Sequence, residues 1–502
     1  MSMGRGFGQR SIGSVVRRNP EGAVLILLVL ATVGLILSSE RGSAWLAARL
    51  SPPAAAPAPP LPSSVVVARS TIDWVGIGEE ATELLQGYLR VDTSDPEKAA
   101  EAAEWLQSKL LDAGVESYLL SAGEGHTALV ARLRGQGKAR PIVLYSYLEQ
   151  ARTDSEGWTV PPLEGAIVDG CLYGAGAVEP KGQTVINVMT LLVLHRLGLP
   201  LERDVVLVAT GNRDQLAQPR SPVLEELSGL QAEYVLGPGG GAVELQPGQR
   251  AWMISTYTKG YLSLRVGPSR NGAGTGKLPD GASEQLVQAV NRFLTWDAPI
   301  VPSAANNEFF ARLTARYGFP VRNVLSQPWA WSRFVAPRLA ENETAASRLR
   351  DTVDLIRLEP WPDDPLCPSA IIEVHTMPWR DREQVLADLR SVSGVPELRF
   401  QLLSEEPGRE CSWDTPLYRA IERVAVWEEP GVPVLPIGAD AGHGRQLLAL
   451  GTTYYGFLPV YLGRDQFAHI GGPDEAVPVD GLGEGVRRLS EIVLELCAAP
   501  EG

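Results

Sequence analysis

From about Thr71 onward, short apolar runs alternate with longer stretches of helical period. TALVARL (127–133), PIVLYSY (141–147), DVVLVAT (204–210) and AEYVLG (232–237) are β-branched or apolar runs bounded by turn residues, as buried strands are. DPEKAAEAAEWLQSKLLDAG reads as a helix with Ser94 or Asp95 as N-cap, Pro96 in the first turn and a stop at Gly114. QTVINVMTLLVLHRLGLP, 183–200, is a second helix between two of the strands. Strands alternating with helices predict an α/β domain with a mostly parallel sheet covered on both faces. Near Ala251 the texture changes. GYLSLRVG, GASEQLVQAVNRFLTW, SAIIEVHTMP, DREQVLADLRSV and ELRFQLLSEE read as a smaller α+β unit. After it the first texture returns, with TPLYRAIERVAVW, TTYYGFLPV and a last helix, GEGVRRLSEIVLELC. The simplest organisation is one domain, 71–250 and 406–502, with a second inserted at 251–405.

The N-terminal pattern differs. Gly22 to Leu37 is 16 residues without a charge, extendable through Ser38 and Ser39. Four arginines precede it (Arg5, Arg10, Arg17, Arg18), which predicts a cytoplasmic leader at 1–21, a transmembrane anchor at 22–39 and an extracytoplasmic body. A cleaved signal peptide is the rival reading; the long leader and the lack of a sharp small-x-small site favour an anchor. Residues 40–70 then read as a Pro/Ala-rich linker, since Ser51–Ser64 carries six prolines in 14 residues, a semi-rigid spacer.

Bulk composition narrows the partners. The chain has 502 residues, 44% of them hydrophobic, and a net charge of −14, which argues against nucleic acid as the main partner. Its four cysteines form no C-x-x-C pair, so a cysteine zinc site is not expected.

Several fragments in order carry a family resemblance: LRVDTSDP (89–96), the strand and turn at Tyr147, WTVPPLEGAIVDGCLYGAG (158–176), VEPKG (178–182), ATGNRD (209–214), YVLGPGGG (234–241) and GGPDEAVPVDGLGEGV (471–486). The chain resembles the zinc-dependent exopeptidase family that includes carboxypeptidase S, the glutamate carboxypeptidases, aminoacylase and succinyl-diaminopimelate desuccinylase. The resemblance implies a catalytic α/β domain interrupted by a lid or dimerisation domain. It also implies two zinc ions about 3.5–4 Å apart that activate water and polarise a carbonyl.

Position by position, this chain departs from that pattern. The first histidine ligand falls on Tyr147, and the aspartate that orients it falls on Glu149. The bridging aspartate falls on Glu179, the general-base glutamate on Arg213 and the next ligand on Asp214. The acidic ligand of the N-E-G-G-like turn falls on Pro238, and the last histidine on Gly471. Zinc asks for about four His, Cys or carboxylate donors; only Glu179 and Asp214 offer a good one. Arg213 stays charged and takes no proton from water. The expectation is that its guanidinium stands in for the missing metal beside Glu149, Glu179 and Asp214. In the inserted domain the substrate-reaching histidine falls on Thr275, the carboxylate-binding arginine on His375, and an asparagine near Pro365.

Stray histidines offer one rearranged alternative, a single metal on His469, Glu179 and Asp214, with His443 nearby. His126 reads as solvated and His195 as a histidine at a helix C-terminus. PGGG (238–241) reads as a turn, not a phosphate loop. Trp329 and Trp331 read as lid core or a binding patch. The expected function is a membrane-anchored, non-catalytic relative, without cofactor, that binds a peptide-like ligand or a protein partner. The second reading is an active zinc-dependent exopeptidase or N-acyl-amino-acid amidohydrolase with a rearranged site. A homodimer through the inserted domain suits both.

Overall fold

The computed structural model describes residues 58–123, 125–153, 156–211, 221–246, 249–269, 278, 280–300, 303–315, 347, 349–395, 398–439 and 444–499. The strands, in chain order, are β1 (Glu116–Gly123), β2 (His126–Leu133), β3 (Ile142–Tyr147), β4 (Ile167–Val168), β5 (Cys171–Tyr173) and β6 (Val205–Thr210). They continue with β7 (Tyr234–Gly237), β8 (Gly241–Gln246), β9 (Gln249–Thr258), β10 (Gly260–Pro268), β11 (Thr352–Trp361) and β12 (Asp364–Thr376). The last are β13 (Leu398–Glu406), β14 (Arg409–Glu410), β15 (Val434–Ala439), β16 (Thr453–Gly456), β17 (Tyr461–Leu462) and β18 (Ala476–Pro478). The helices are α1 (Ser63–Thr71), α2 (Trp74–Leu89), α3 (Pro96–Asp112), α4 (Lys181–Leu197), α5 (Pro222–Leu230) and α6 (Ala282–Leu294). After these come α7 (Ala304–Thr314), α8 (Arg382–Ser393), α9 (Pro416–Glu428), α10 (Arg445–Ala449), α11 (Arg464–Ala468) and α12 (Val479–Cys497).

The large sheet runs β1-β2-β6-β3-β7-β16-β9-β8-β17, with β14 and β15 also on β9. Its middle is parallel, as the apolar runs predict: β3 pairs with β6 and β7, and β7 with β16, all in parallel. Elsewhere β9–β15 and β8–β17 are also parallel, while β1–β2, β2–β6, β8–β9, β9–β14 and β9–β16 are antiparallel, so the sheet is parallel at its middle and mixed towards its edges. The reason is local. Consecutive strands joined by a tight turn must run antiparallel, and β1–β2 and β8–β9 are such hairpins. Every residue of β3 and β6 is buried, which is why these strands show no alternation in sequence.

Asp95, not Ser94, caps α3, accepting from the Glu97 amide. Helices α2, α4 and α12 pack together over the sheet. Helix α1 begins inside the stretch expected as a spacer and runs past its end. Val65 and Ala68 bury fully in the core, and Arg69 makes a two-point contact, 2.8 and 2.7 Å, with Glu491 of α12. Trp427 of α9 donates to the Pro59 carbonyl at 2.8 Å.

The second sheet runs β11-β12-β10-β13, all antiparallel, with α6 and α8 packed around its own core of Leu262, Leu264, Val266, Leu286, Phe293 and Leu389. The chain leaves the large sheet at Lys259 and re-enters it at Arg409. All four cysteines are free. Among the described residues no helix is long and apolar enough to cross a membrane; the expected span, 22–39, lies outside the described residues, as do Trp329 and Trp331.

Candidate functional site

The carboxyl ends of β3, β6 and β7 form one edge, where open α/β sheets place their ligands. Tyr147 is the last residue of β3 and only 4% exposed. Its ring meets Tyr145 edge-on at 5.4 Å, and its carbonyl accepts from Thr184 Oγ1 at 2.8 Å. The ladder continues past the strand: the Leu148 and Glu149 amides donate to the Thr210 and Gly211 carbonyls at 2.7 and 2.8 Å. These bonds fix the backbone of the turn from which Glu149 projects.

Glu149 Oε1 lies 2.5 Å from His126 Nδ1, and the two side chains are only 7% and 14% exposed. His126, expected to be solvated, is therefore a partner of the candidate site. The β1–β2 hairpin, turning at Gly123 and Gly125 with φ near +85°, returns His126 to the same end of the sheet.

Beneath this edge lies a buried charged layer. Glu475 is 1% exposed and accepts from the amides of Gly176 (3.0 Å), Val178 (2.9 Å) and Glu179 (3.0 Å). It thereby holds the loop that carries half-buried Glu179, whose peptide to Pro180 is cis. Burial pushes the Glu475 carboxyl up to about 7, against the pull of those amides. Lys181 is fully buried at the start of α4; its Nζ donates to the Val91 carbonyl at 2.7 Å and sits 5.3 Å over the Tyr88 ring. Burial pushes its ammonium down to about 7, opposed by Asp92 and Glu475. The Ser94 hydroxyl, at 2.7 Å, leads the interactions that hold the Asp92 carboxyl below its ordinary value. Tyr88, fully buried, donates to the Leu148 carbonyl at 2.8 Å; burial and then the Glu149 charge push its phenol up.

The remaining family positions are occupied differently. The Pro238 carbonyl accepts from Tyr454 Oη at 2.6 Å. The following Gly239, Gly240 and Gly241 all have positive φ, which makes PGGG a turn. At Gly240 this is obligatory, because a Cβ would lie 2.3 Å from the Met253 carbonyl oxygen. Gly471 is exposed with φ 73° and has open space around it. His469 caps the C-terminus of α11 and is exposed. His375, on β12 opposite Tyr261, lies 3.2 Å from Asp354 and 3.4 Å from Glu373. Burial is the first cause holding its imidazole below the ordinary value. Arg213, Asp214, Thr275 and His443 lie outside the described residues. Among the described residues, no group of three His, Cys, Asp or Glu side chains gathers as metal donors.

Tyr147, Glu149, Glu179 and Glu475 are thus arranged around the carboxyl edge of the parallel strands, while His375 belongs to the second sheet. Sequence reasoning missed three contributors: His126, Lys181 and Glu475. The last two lie inside the quoted fragments VEPKG and GGPDE. Helix α4 is buried all round from Lys181 to Leu194, and a lysine opening an apolar helix is a signal that its ammonium is buried.

Relatives agree with this architecture. Human N-fatty-acyl-amino acid synthase/hydrolase PM20D1 is 23% identical over 374 residues, covering 70% of this chain and 74% of the relative. Cysteinylglycine-S-conjugate dipeptidase of Corynebacterium striatum is 27% identical over 234 residues, 43% of this chain and 49% of the relative. Human carnosine dipeptidase 1 superposes with a TM-score of 0.58 at 14% identity, covering 88% of this chain and 99% of that one. An M20 family metallo-carboxypeptidase from Sulfolobus solfataricus superposes with a TM-score of 0.57 at 15% identity, with 85% and 99% covered. Both structures share the fold. Residues 150–495 match the pattern of Peptidase family M20/M25/M40, and the chain belongs to that family.

Proposed function

We propose that this chain is a membrane-anchored, non-catalytic member of its family, which uses the old cleft to bind a peptide-like ligand: a short peptide or an N-acyl amino acid. The observation that carries this reading is the donor set. At the described family ligand positions stand Tyr147, Pro238 and Gly471 beside Glu179. Proline and glycine offer only backbone carbonyls, and that of Pro238 is taken by Tyr454. The Tyr147 phenol would have to lose its proton, from an ordinary value of about 10. Such a set does not fit two zinc ions. Glu149, at the position that orients a ligand histidine, is paired with His126 instead. The general-base position is Arg213, which cannot accept a proton. The ligand class follows from relatives named for an N-fatty-acyl-amino acid and a cysteinylglycine S-conjugate. The apolar run 22–39 supports the anchor.

The similarity to synthase/hydrolases over most of their length favours a second reading, an amidohydrolase or exopeptidase with a rearranged metal site. Elemental analysis of protein purified without chelator, alongside hydrolysis assays on N-acyl amino acids and dipeptides, separates the two. The first reading expects no stoichiometric metal, no turnover and saturable binding of an uncleaved ligand. Stoichiometric zinc, manganese or cobalt with turnover would overturn it.

A further inference from the structure

The two sheets are joined by two very short connections. Lys259 alone separates β9 from β10, and Pro407 and Gly408 separate β13 from β14. The connections run side by side, because Tyr261 pairs with Glu406 in one sheet and Thr258 with Arg409 in the other. Between these pairs the backbones touch. A Cβ on Gly260 would lie 2.3 Å from the Gly408 nitrogen; one on Gly408 would lie 2.8 Å from the Gly260 nitrogen and 2.8 Å from Pro378 Cα. Only glycine fits at either position; beside them, buried Lys259 of the outgoing connection reaches Thr352 Oγ1 of the second sheet at 3.3 Å.

Two consecutive side chains from the large sheet's side, Arg445 and Gln446, reach this crossing. Arg445 opens α10, which packs on β16 and α5. Although charged, it is only 7% exposed. Its Nε lies 3.0 Å from Glu406 Oε2, an ion pair whose angle falls short of a hydrogen bond. Its Nη1 donates to the Lys259 carbonyl at 3.3 Å, and the guanidinium lies 4.8 Å over the Tyr261 ring. Gln446, next in the helix, donates to Glu406 at 3.4 Å. Arg445 thus contacts the outgoing connection, the returning strand and the first ring of the second sheet. A planar fork that donates in several directions is suited to such a place.

We propose that Arg445 is a positioning residue: a clamp that holds the inserted sheet at one angle to the large sheet, with the Gly260–Gly408 contact as the pivot. What the clamp sets is the placement of the inserted sheet's polar face. Tyr261, its cross-strand neighbour His375 and, one strand further, Thr352 opposite His375 lie at the end of that face nearest the crossing. The clamp rests on this junction alone and applies whether or not the chain turns over a substrate.

The test uses the full chain with nitroxide labels at exposed Glu101 of α3 and exposed Gln288 of α6. They are introduced through a non-cysteine unnatural amino acid, so that the four native cysteines stay untouched. Pulsed electron–electron resonance should give one narrow distance distribution for the wild type. Arg445→Met and Glu406→Gln should each broaden or shift it, and Arg445→Lys, which keeps the charge but not the fork, should fall between. If Arg445→Met melts cooperatively and keeps the wild-type distribution, with only its Tm lowered, the residue is merely structural and the proposal is overturned. If Arg445→Met does not fold, Glu406→Gln and Arg445→Lys decide: wild-type distributions in both overturn it, and broadened ones support it.

Discussion

Removing the His126 imidazole tests whether Glu149 has been rewired from a metal site into a structural pair. The two groups meet at 2.5 Å with side chains 14% and 7% exposed, so water screens them little. An exposed ion pair would be worth about 0–1 kcal/mol; a hydrogen bond to a charged group out of solvent is worth about 1.5–3 kcal/mol. His126→Ala leaves the carboxylate without this partner and should destabilise the fold by that larger amount. Glu149 has further contacts, so the single substitutions overstate the pair. The full cycle of His126→Ala, Glu149→Ala and the double variant, measured by urea unfolding at neutral pH, cancels them. The expected coupling is about 1.5–3 kcal/mol. His126→Gln, which retains an N–H donor, should recover part of the loss. A coupling below ~0.5 kcal/mol, the size at which distant sites already look additive, would refute the reasoning.

Three further outcomes can be measured. Arg213→Ala should lower thermal stability, because its guanidinium is read as the counter-charge for the cleft carboxylates; an unchanged Tm removes that role. Gly240→Ala should cost ~1–3 kcal/mol for the left-handed backbone alone, with overlap on the Met253 carbonyl adding to it; a neutral result in urea unfolding would mean the PGGG turn relaxes freely. Lys181, with its ammonium pushed down to about 7, is neutral in the folded chain above that pH while the unfolded chain still holds the proton. Wild-type stability should therefore rise relative to Lys181→Met between pH 7 and the unfolded value, by up to ~1.4 kcal/mol per pH unit; parallel stability–pH curves for the two would contradict it.

Much of the fold was legible because it rests on one-dimensional signals. The unbroken apolar runs at 142–147 and 205–210 are central parallel strands, and Asp95-Pro96 starts a helix for a local reason. What was not legible depends on contacts far apart in sequence. No local property of His126 announces Glu149, which sits across the intervening strand β6. The antiparallel pairs β1–β2 and β8–β9 follow from short hairpin connections, and apolar content does not encode that. At the candidate site, substitutions at Tyr147, Pro238 and Gly471 were readable one by one against the family pattern. The layer beneath them was not, because Glu475 is held by backbone amides, which carry no residue signature.

The contact between Arg69 and Glu491 bears on mechanics. Helix α1 is fastened to α12, the last helix of the chain, and Pro59 to α9, which is itself tied to α12 through Arg488 and Glu428. Tension arriving from the residues before Ser63 would meet these attachments first. It would pass into α9 and α12, at the far end of the sequence, before reaching the strands that carry Tyr147 or the crossing held by Arg445. The beginning of the body is tied to its last helix.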